Sequence, residues 1–173
     1  DTGIDSDHPM LDGKVIIAKD FTGGSSPEDV NGHGTHVAGI AAGSNSSGGY
    51  DGVAPGALLM NAKVLADNGD GSTASIAAGI YWAMDPDNDN STDDGADIIS
   101  MSLGAPYSTP DAVIDSAIGY AISNGAVVVI ASGNCGPSGN CGGFTGVTVP
   151  GNNMQAITVG ATDDHMQWQG FSG

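Results

Sequence analysis

Three short segments of this chain carry side chains able to do proton-transfer or oxyanion chemistry. The densest is Asn31-Gly32-His33-Gly34-Thr35-His36-Val37-Ala38-Gly39. A histidine between two glycines stands at the mouth of a helix of small residues, predicted over 34–43. The glycines let other backbone approach the imidazole, which suits a general base. His33 and His36 are three apart and no Glu separates them, so the H-E-x-x-H zinc pattern is missing. The second segment is Asp1-Thr2-Gly3, a carboxylate followed by turn residues. Aspartic proteases use Asp-Thr-Gly in pairs, but this chain holds one, in a Gly/Ala-rich remainder unsuited to an all-β fold. The third is Ala131-Ser132-Gly133-Asn134, directly after the apolar run Ala126 to Ile130. An amide at the carboxyl end of a strand can donate to a developing oxyanion, and a Gly-Asn pair also makes an ordinary turn.

The elements that must hold these residues alternate. Strand-like runs are expected over Lys14 to Phe21, Ala57 to Val64, Ala96 to Leu103, Ala126 to Ser132 and Ala156 to Ala161. Helical spacing is expected over Thr73 to Met84, with Ser72 or Thr73 as N-cap, and over Pro110 to Asn124, with Thr109 as N-cap. The run 126–132 is uninterrupted and apolar, which predicts a strand buried on both faces. Alternation of this kind implies an α/β fold, a mostly parallel sheet with helices on both faces. Sites in such sheets lie just beyond the carboxyl ends of the strands.

Composition narrows the function. The chain has 173 residues, enough for one domain with a sizeable core. Its 20 acidic residues against 3 lysines give a net charge of -17. Such a chain is repelled by nucleic acid and by anionic membrane surfaces. No apolar run approaches the ~18 residues of a membrane span. The acidic excess fits solubility in high salt or binding of divalent cations. A nucleotide-binding domain is disfavoured, because no strand leads into G-x-G-x-x-G.

Taken together these segments resemble one family, the subtilisin-like serine proteases (subtilases). The resemblance rests on Asp1-Thr2-Gly3-Ile4-Asp5 with His8-Pro9, Asn31 to Gly39, and Gly52-Val53-Ala54-Pro55. It continues through Ser100-Met101-Ser102-Leu103-Gly104, Gly133-Asn134 and Ile157-Thr158-Val159-Gly160-Ala161. It implies a three-layer α/β/α fold, incomplete at both ends, with residues 1–173 forming part of a peptidase domain. It implies that Asp1 orients the imidazole of His33, that His33 is the general base, and that Asn134 donates to the oxyanion. It further implies that Ser102, Leu103 and Gly104 pair with an extended polypeptide substrate, with Gly69, Asp70 and Gly71 on its other side. Asp70 there would favour basic substrate side chains. Ala131, Ser132 and Gly133 would line the primary specificity pocket.

One departure is decisive. The family's nucleophile lies in Gly-Thr-Ser-Met-Ala, and no such motif occurs in this chain. Ser172, in Phe-Ser-Gly, matches an earlier family segment. The strand expected before Asp1 is also missing, so both ends read as cut. The parent protein is therefore expected to be a secreted serine endopeptidase, and this chain alone inactive. A non-catalytic, protease-derived binding or scaffold module is the alternative. Exposed sheet edges on such a piece would favour self-association.

No organic cofactor is implied, but many subtilases bind Ca²⁺. One common family site needs an acidic residue after His-Pro, where this chain has Met10. Asp85, Asp87 and Asp89 alternate in a loop, followed by Asp93 and Asp94, an arrangement that suits a hard cation as well as a solvated surface. Asp67 to Gly71 is a weaker candidate. Cys135 and Cys141 could form a bridge, remain reduced thiols, or act as a redox pair. The family's secretion favours the bridge.

Overall fold

A computed structural model describes residues 1–45, 49–107 and 109–173. The chain forms two compact units, Asp1–Gly79 and Ile80–Gly173.

In the first unit, β1 (Val15–Asp20) and β2 (Leu59–Lys63) pair in parallel, and α1 (His33–Ala42) lies between them in the chain. The β1 register shifts between Val15 and Ile17. A small apolar core gathers Ile4, Leu11 and Ala38, with Val15 and Leu59 packed against it. α1 buries only its small residues, Gly34, Ala38 and Ala42. Two polar side chains of β2 are buried and satisfied. Asn61 donates to the Pro27 carbonyl, and the Lys63 ammonium donates to the Thr2 carbonyl and to Asp67. α2 (Thr73–Met84) begins in this unit and ends in the second, and it opens with a reciprocal cap: the Ser72 hydroxyl accepts from the Ser75 N–H, and the Ser75 hydroxyl accepts from the Ser72 N–H. Ser72, rather than Thr73, is thus the capping residue.

In the second unit, β3 (Ile98–Met101), β4 (Val127–Ala131) and β5 (Ile157–Val159) form a parallel sheet in that order. α3 (Ala112–Ser123) packs on β4 and buries Ile114, Ala117, Ile118 and Ala121. Its N-cap is Asp111, whose carboxylate accepts from the Val113 and Ile114 N–H groups. The expected cap at Thr109 and first turn at Pro110 therefore move inward. Asp111 offers the stronger acceptor two residues later.

β4 is not buried throughout. Val128 and Ile130 are enclosed, while Val127 is 44% exposed. Period-two alternation governs because α3 covers one face, and an apolar run by itself does not say how many faces are covered. Among the described residues, no helix is long and apolar enough to cross a membrane.

Candidate active site

In the first unit the Asp1 segment runs beside the carboxyl end of β2. The Asp1 carbonyl accepts from the N–H groups of Val64 and Leu65, both at 3.0 Å. This fixes the Asp1 carboxylate beyond the strand ends, where α/β folds place their sites. His33 is the first residue of α1. Gly32 before it has a φ of 95°, a left-handed turn that glycine adopts without strain. Gly34 after it permits close approach: a Cβ there would lie 2.1 Å from the Gly3 carbonyl oxygen and 3.2 Å from Asp1 Oδ1. Both glycines are therefore needed to seat the ring against the carboxylate.

The structure brings Asp1 and His33 together, with His33 Nδ1 2.7 Å from Asp1 Oδ1. The imidazole is about half exposed, at 48%, and the carboxylate is 17% exposed. Asp1 Oδ1 also accepts from the Thr2 N–H at 2.7 Å, whereas Asp1 Oδ2 is buried with no hydrogen-bond partner. A carboxylate held this way fixes the ring tautomer with a proton on Nδ1. The lone pair on Nε2 is then free to accept a proton. His36 does not join the pair. Among the described residues, neither histidine belongs to a cluster of three metal-ligating side chains.

Asp29 is a residue that motif reading missed. Its Oδ1 accepts from Thr2 Oγ1 and from the Asn31 and Gly32 N–H groups, and its Oδ2 accepts from the Thr35 N–H and hydroxyl. Burial pushes its carboxyl up, but the hydrogen bonds from Thr35, Gly32 and Thr2 outweigh this and lower it to about 2. Elsewhere in this unit, Asn68–Asp70 forms a tight turn. Asp70 Oδ2 accepts from the Asn68 amide, and Leu65 and Gly71 form an antiparallel bridge beside it. Gly69, with a φ of 88°, and Asp70 are exposed.

In the second unit β3 is the outer strand of its sheet among the described residues, and Ser102, Leu103 and Gly104 follow directly from it. The segment after β4 lies next to it. A Cβ at Gly104 or at Gly133 would meet the Thr148 hydroxyl at 2.4 Å, so both segments close on Thr148. Thr148 is a second missed residue. Its N–H and hydroxyl donate to the Ser132 carbonyl. The Ser132 side chain is buried against Ser172, with their hydroxyls 3.1 Å apart, and the Ser172 hydroxyl also accepts from the Ala161 N–H. Ser172 is 1% exposed and so is unavailable to an external carbonyl.

Asn134 is exposed at the end of this segment. Cys135 and Cys141 form a disulfide, so neither is a free thiol. Closing so short a loop contributes about 2 kcal/mol of stability and restrains the backbone beside Asn134.

The loop after α2 gathers carboxylates. Asp85, Asp87 and Asp94 offer oxygens all within 4.8 Å of one another. Asp89, expected as the third member, is used differently: its N–H donates to Asp85 and Asp87, and its carboxylate accepts from the Ser91 N–H. Asn88 and Asn90 take positive φ values of 62° and 68°, which curl the loop and bring Asp94 to the pair instead. Local desolvation, and then the charges of Asp87, Asp89 and Asp93, push the Asp94 carboxyl up. A second exposed cluster joins Asp163, Asp164 and His165.

The Subtilase family model, Peptidase_S8, matches residues 1–173. Thermitase of Thermoactinomyces vulgaris is 39% identical over 174 residues, covering 99% of this chain and 56% of that protein. Subtilisin Savinase of Lederbergia lenta is 41% identical over 173 residues, covering 99% and 57%. The solved structure of sphericase superposes with a TM-score of 0.81 at 39% identity, covering 99% of this chain and 56% of its own. The chain thus spans little more than half the length of these relatives, and its α/β architecture is that of the subtilisin fold. Match length, identity and superposition agree over the whole sequence, and the chain belongs to the subtilase family.

Proposed function

We propose that these residues are part of the catalytic domain of a secreted serine endopeptidase that cleaves polypeptides. The observation that carries this reading is the 2.7 Å contact between His33 Nδ1 and Asp1 Oδ1. In this reading Asp1 orients the ring and stabilises the imidazolium. His33 Nε2 takes the proton from a serine hydroxyl as that oxygen attacks the scissile carbonyl. It later returns the proton to the leaving amine. The Asn134 amide donates to the oxygen as negative charge develops there. The segment Ser102–Gly104 pairs with the extended substrate backbone, and Gly69, Asp70 and Gly71 also bind substrate. Ala131, Ser132 and Gly133 line the pocket for the residue before the scissile bond. Ser132 contributes backbone only, because its hydroxyl is engaged by Ser172.

The nucleophile is supplied by sequence outside these residues, so the 173-residue chain by itself does not turn over substrate. The reading is tested by casein hydrolysis with the full-length protein and with this chain alone, each with and without a serine-directed fluorophosphonate. Hydrolysis by the full-length protein that the reagent abolishes supports it, and no hydrolysis overturns it.

The Asp85, Asp87 and Asp94 cluster fits a structural Ca²⁺. Its oxygen donors converge, and an ion there would offset the crowded negative charge of the loop. The ion would tie down the loop and take no part in the chemistry. Isothermal titration of the full-length protein with Ca²⁺ is expected to lose one site in the Asp87→Asn/Asp94→Asn variant. At free Ca²⁺ a hundredfold above Kd, chelation lowers wild-type stability by about 2.7 kcal/mol through this site. An unchanged number of sites in the variant counts against it.

A further inference from the structure

We propose that Asp29 is a positioning residue for the Asp1–His33 pair, its carboxylate holding the chain on both sides of the imidazole and next to the Asp1 carboxylate. The inference rests on the peptidase reading for its effect on turnover, and on geometry alone for its effect on the pair.

The pair has a mechanical weakness. His33 lies between two glycines, the residues that lose most freedom on ordering. Its helix has no conventional anchor either: the N-cap is Gly32 with no side-chain cap bond, and no acidic residue stands in the first turn. Asp29 supplies both from outside the helix. It accepts the Gly32 N–H at 2.9 Å and the Asn31 N–H at 3.0 Å, on the chain entering His33. It accepts the Thr35 N–H at 2.8 Å and the Thr35 hydroxyl at 2.7 Å, on the chain leaving it. An anion at this helix terminus also complements the helix dipole.

The same carboxylate reaches the other partner. It accepts from the Thr2 hydroxyl at 2.9 Å, and that hydroxyl in turn accepts from the Gly34 N–H at 3.0 Å. The Thr2 N–H donates to Asp1 Oδ1 at 2.7 Å. The residue after Asp1 and both neighbours of His33 are therefore tied to one charged group. Thr35 extends the network, its hydroxyl accepting from the Asp5 N–H at 2.9 Å. Five donors on one carboxylate exceed what a loop turn requires, and all of them flank the pair. The lowered Asp29 carboxyl shows that the charged form is the one being held.

An amide at position 29 keeps the shape but turns one acceptor into a donor facing donors. A displacement of order 1 Å in a reacting group costs roughly 10²-fold. In the full-length protein, Asp29→Asn is expected to lower kcat about 30-fold, with KM within about twofold, for the folded fraction. It is also expected to remove the low-field proton resonance of His33 Nδ1 that the bond to Asp1 produces. Thr2→Val cuts the link between the two segments, with an expected loss of about tenfold in kcat, and Thr2→Ser recovers most of that loss. If Asp29→Asn does not fold, the Thr2 variants and their His33 resonance carry the test. Values of kcat within about twofold of wild type in the folded variants, or an unchanged resonance, overturn the proposal. If the wild-type protein shows no hydrolysis, the peptidase reading fails, and the resonance still decides whether Asp29 holds the pair.

Discussion

Replacing His33 by alanine in the full-length protein should lower kcat by about six orders of magnitude, the size of loss that subtilisin itself shows for its histidine. The ring is half exposed and stands at a helix start, so its removal opens no core cavity and the variant should fold. The loss is then chemical: no group is left to take the serine proton. Asp1→Asn should cost about 10⁴-fold, because the amide no longer fixes the proton on Nδ1 and the ring can turn over. The two losses should not add. Once the base is absent, orienting it has no value, so His33→Ala with Asp1→Asn should be no slower than His33→Ala alone. Steady-state kinetics on a chromogenic peptide measures all three. Additive losses would mean that Asp1 acts elsewhere than through His33.

Asn134→Leu is expected to lower kcat by about 10²–10³-fold with KM little changed, the range known for subtilisin's own oxyanion asparagine. Leucine keeps the size of the side chain and removes its donor. The amide is needed only when the carbonyl oxygen becomes an anion, so ground-state binding is spared. The residue is exposed, and the restraint on it comes from the backbone, through the adjacent Cys135–Cys141 bridge. A rise in KM at constant kcat would assign Asn134 to substrate binding instead.

The parts legible in the sequence are those fixed by local chemistry. The Thr73–Met84 helix lies where its spacing places it, because Ser72 and Ser75, three apart in the chain, cap each other. The Asp1 and His33 segments carry glycines that permit a left-handed turn or a close backbone approach, and the structure uses Gly32 for the first and Gly34 for the second. Legibility fails where distant partners decide. Thr109 and Asp111 are both able to cap, and the carboxylate won. The burial of Val127 depends on what covers its face, which a run of valines does not encode. Asp29 sits beside Glu28 in an acidic, polar stretch and looks like any solvated carboxylate. Its other donors are local, but its link to the Asp1 segment exists only because Thr2, far away in the chain, folds onto it. In the acidic loop, turns at Asn88 and Asn90 group Asp94, rather than Asp89, with Asp85 and Asp87, which simple alternation does not encode.

The central claim is that Asp1 and His33 activate a serine. The most direct measurement treats the full-length protein with a fluorophosphonate and locates the modified residue by mass spectrometry. A single modified serine outside residues 1–173, loss of casein hydrolysis in step with labelling, and no labelling in the His33→Ala variant are expected. Labelling of a serine within residues 1–173, labelling that survives removal of His33, or no labelling at all would contradict it.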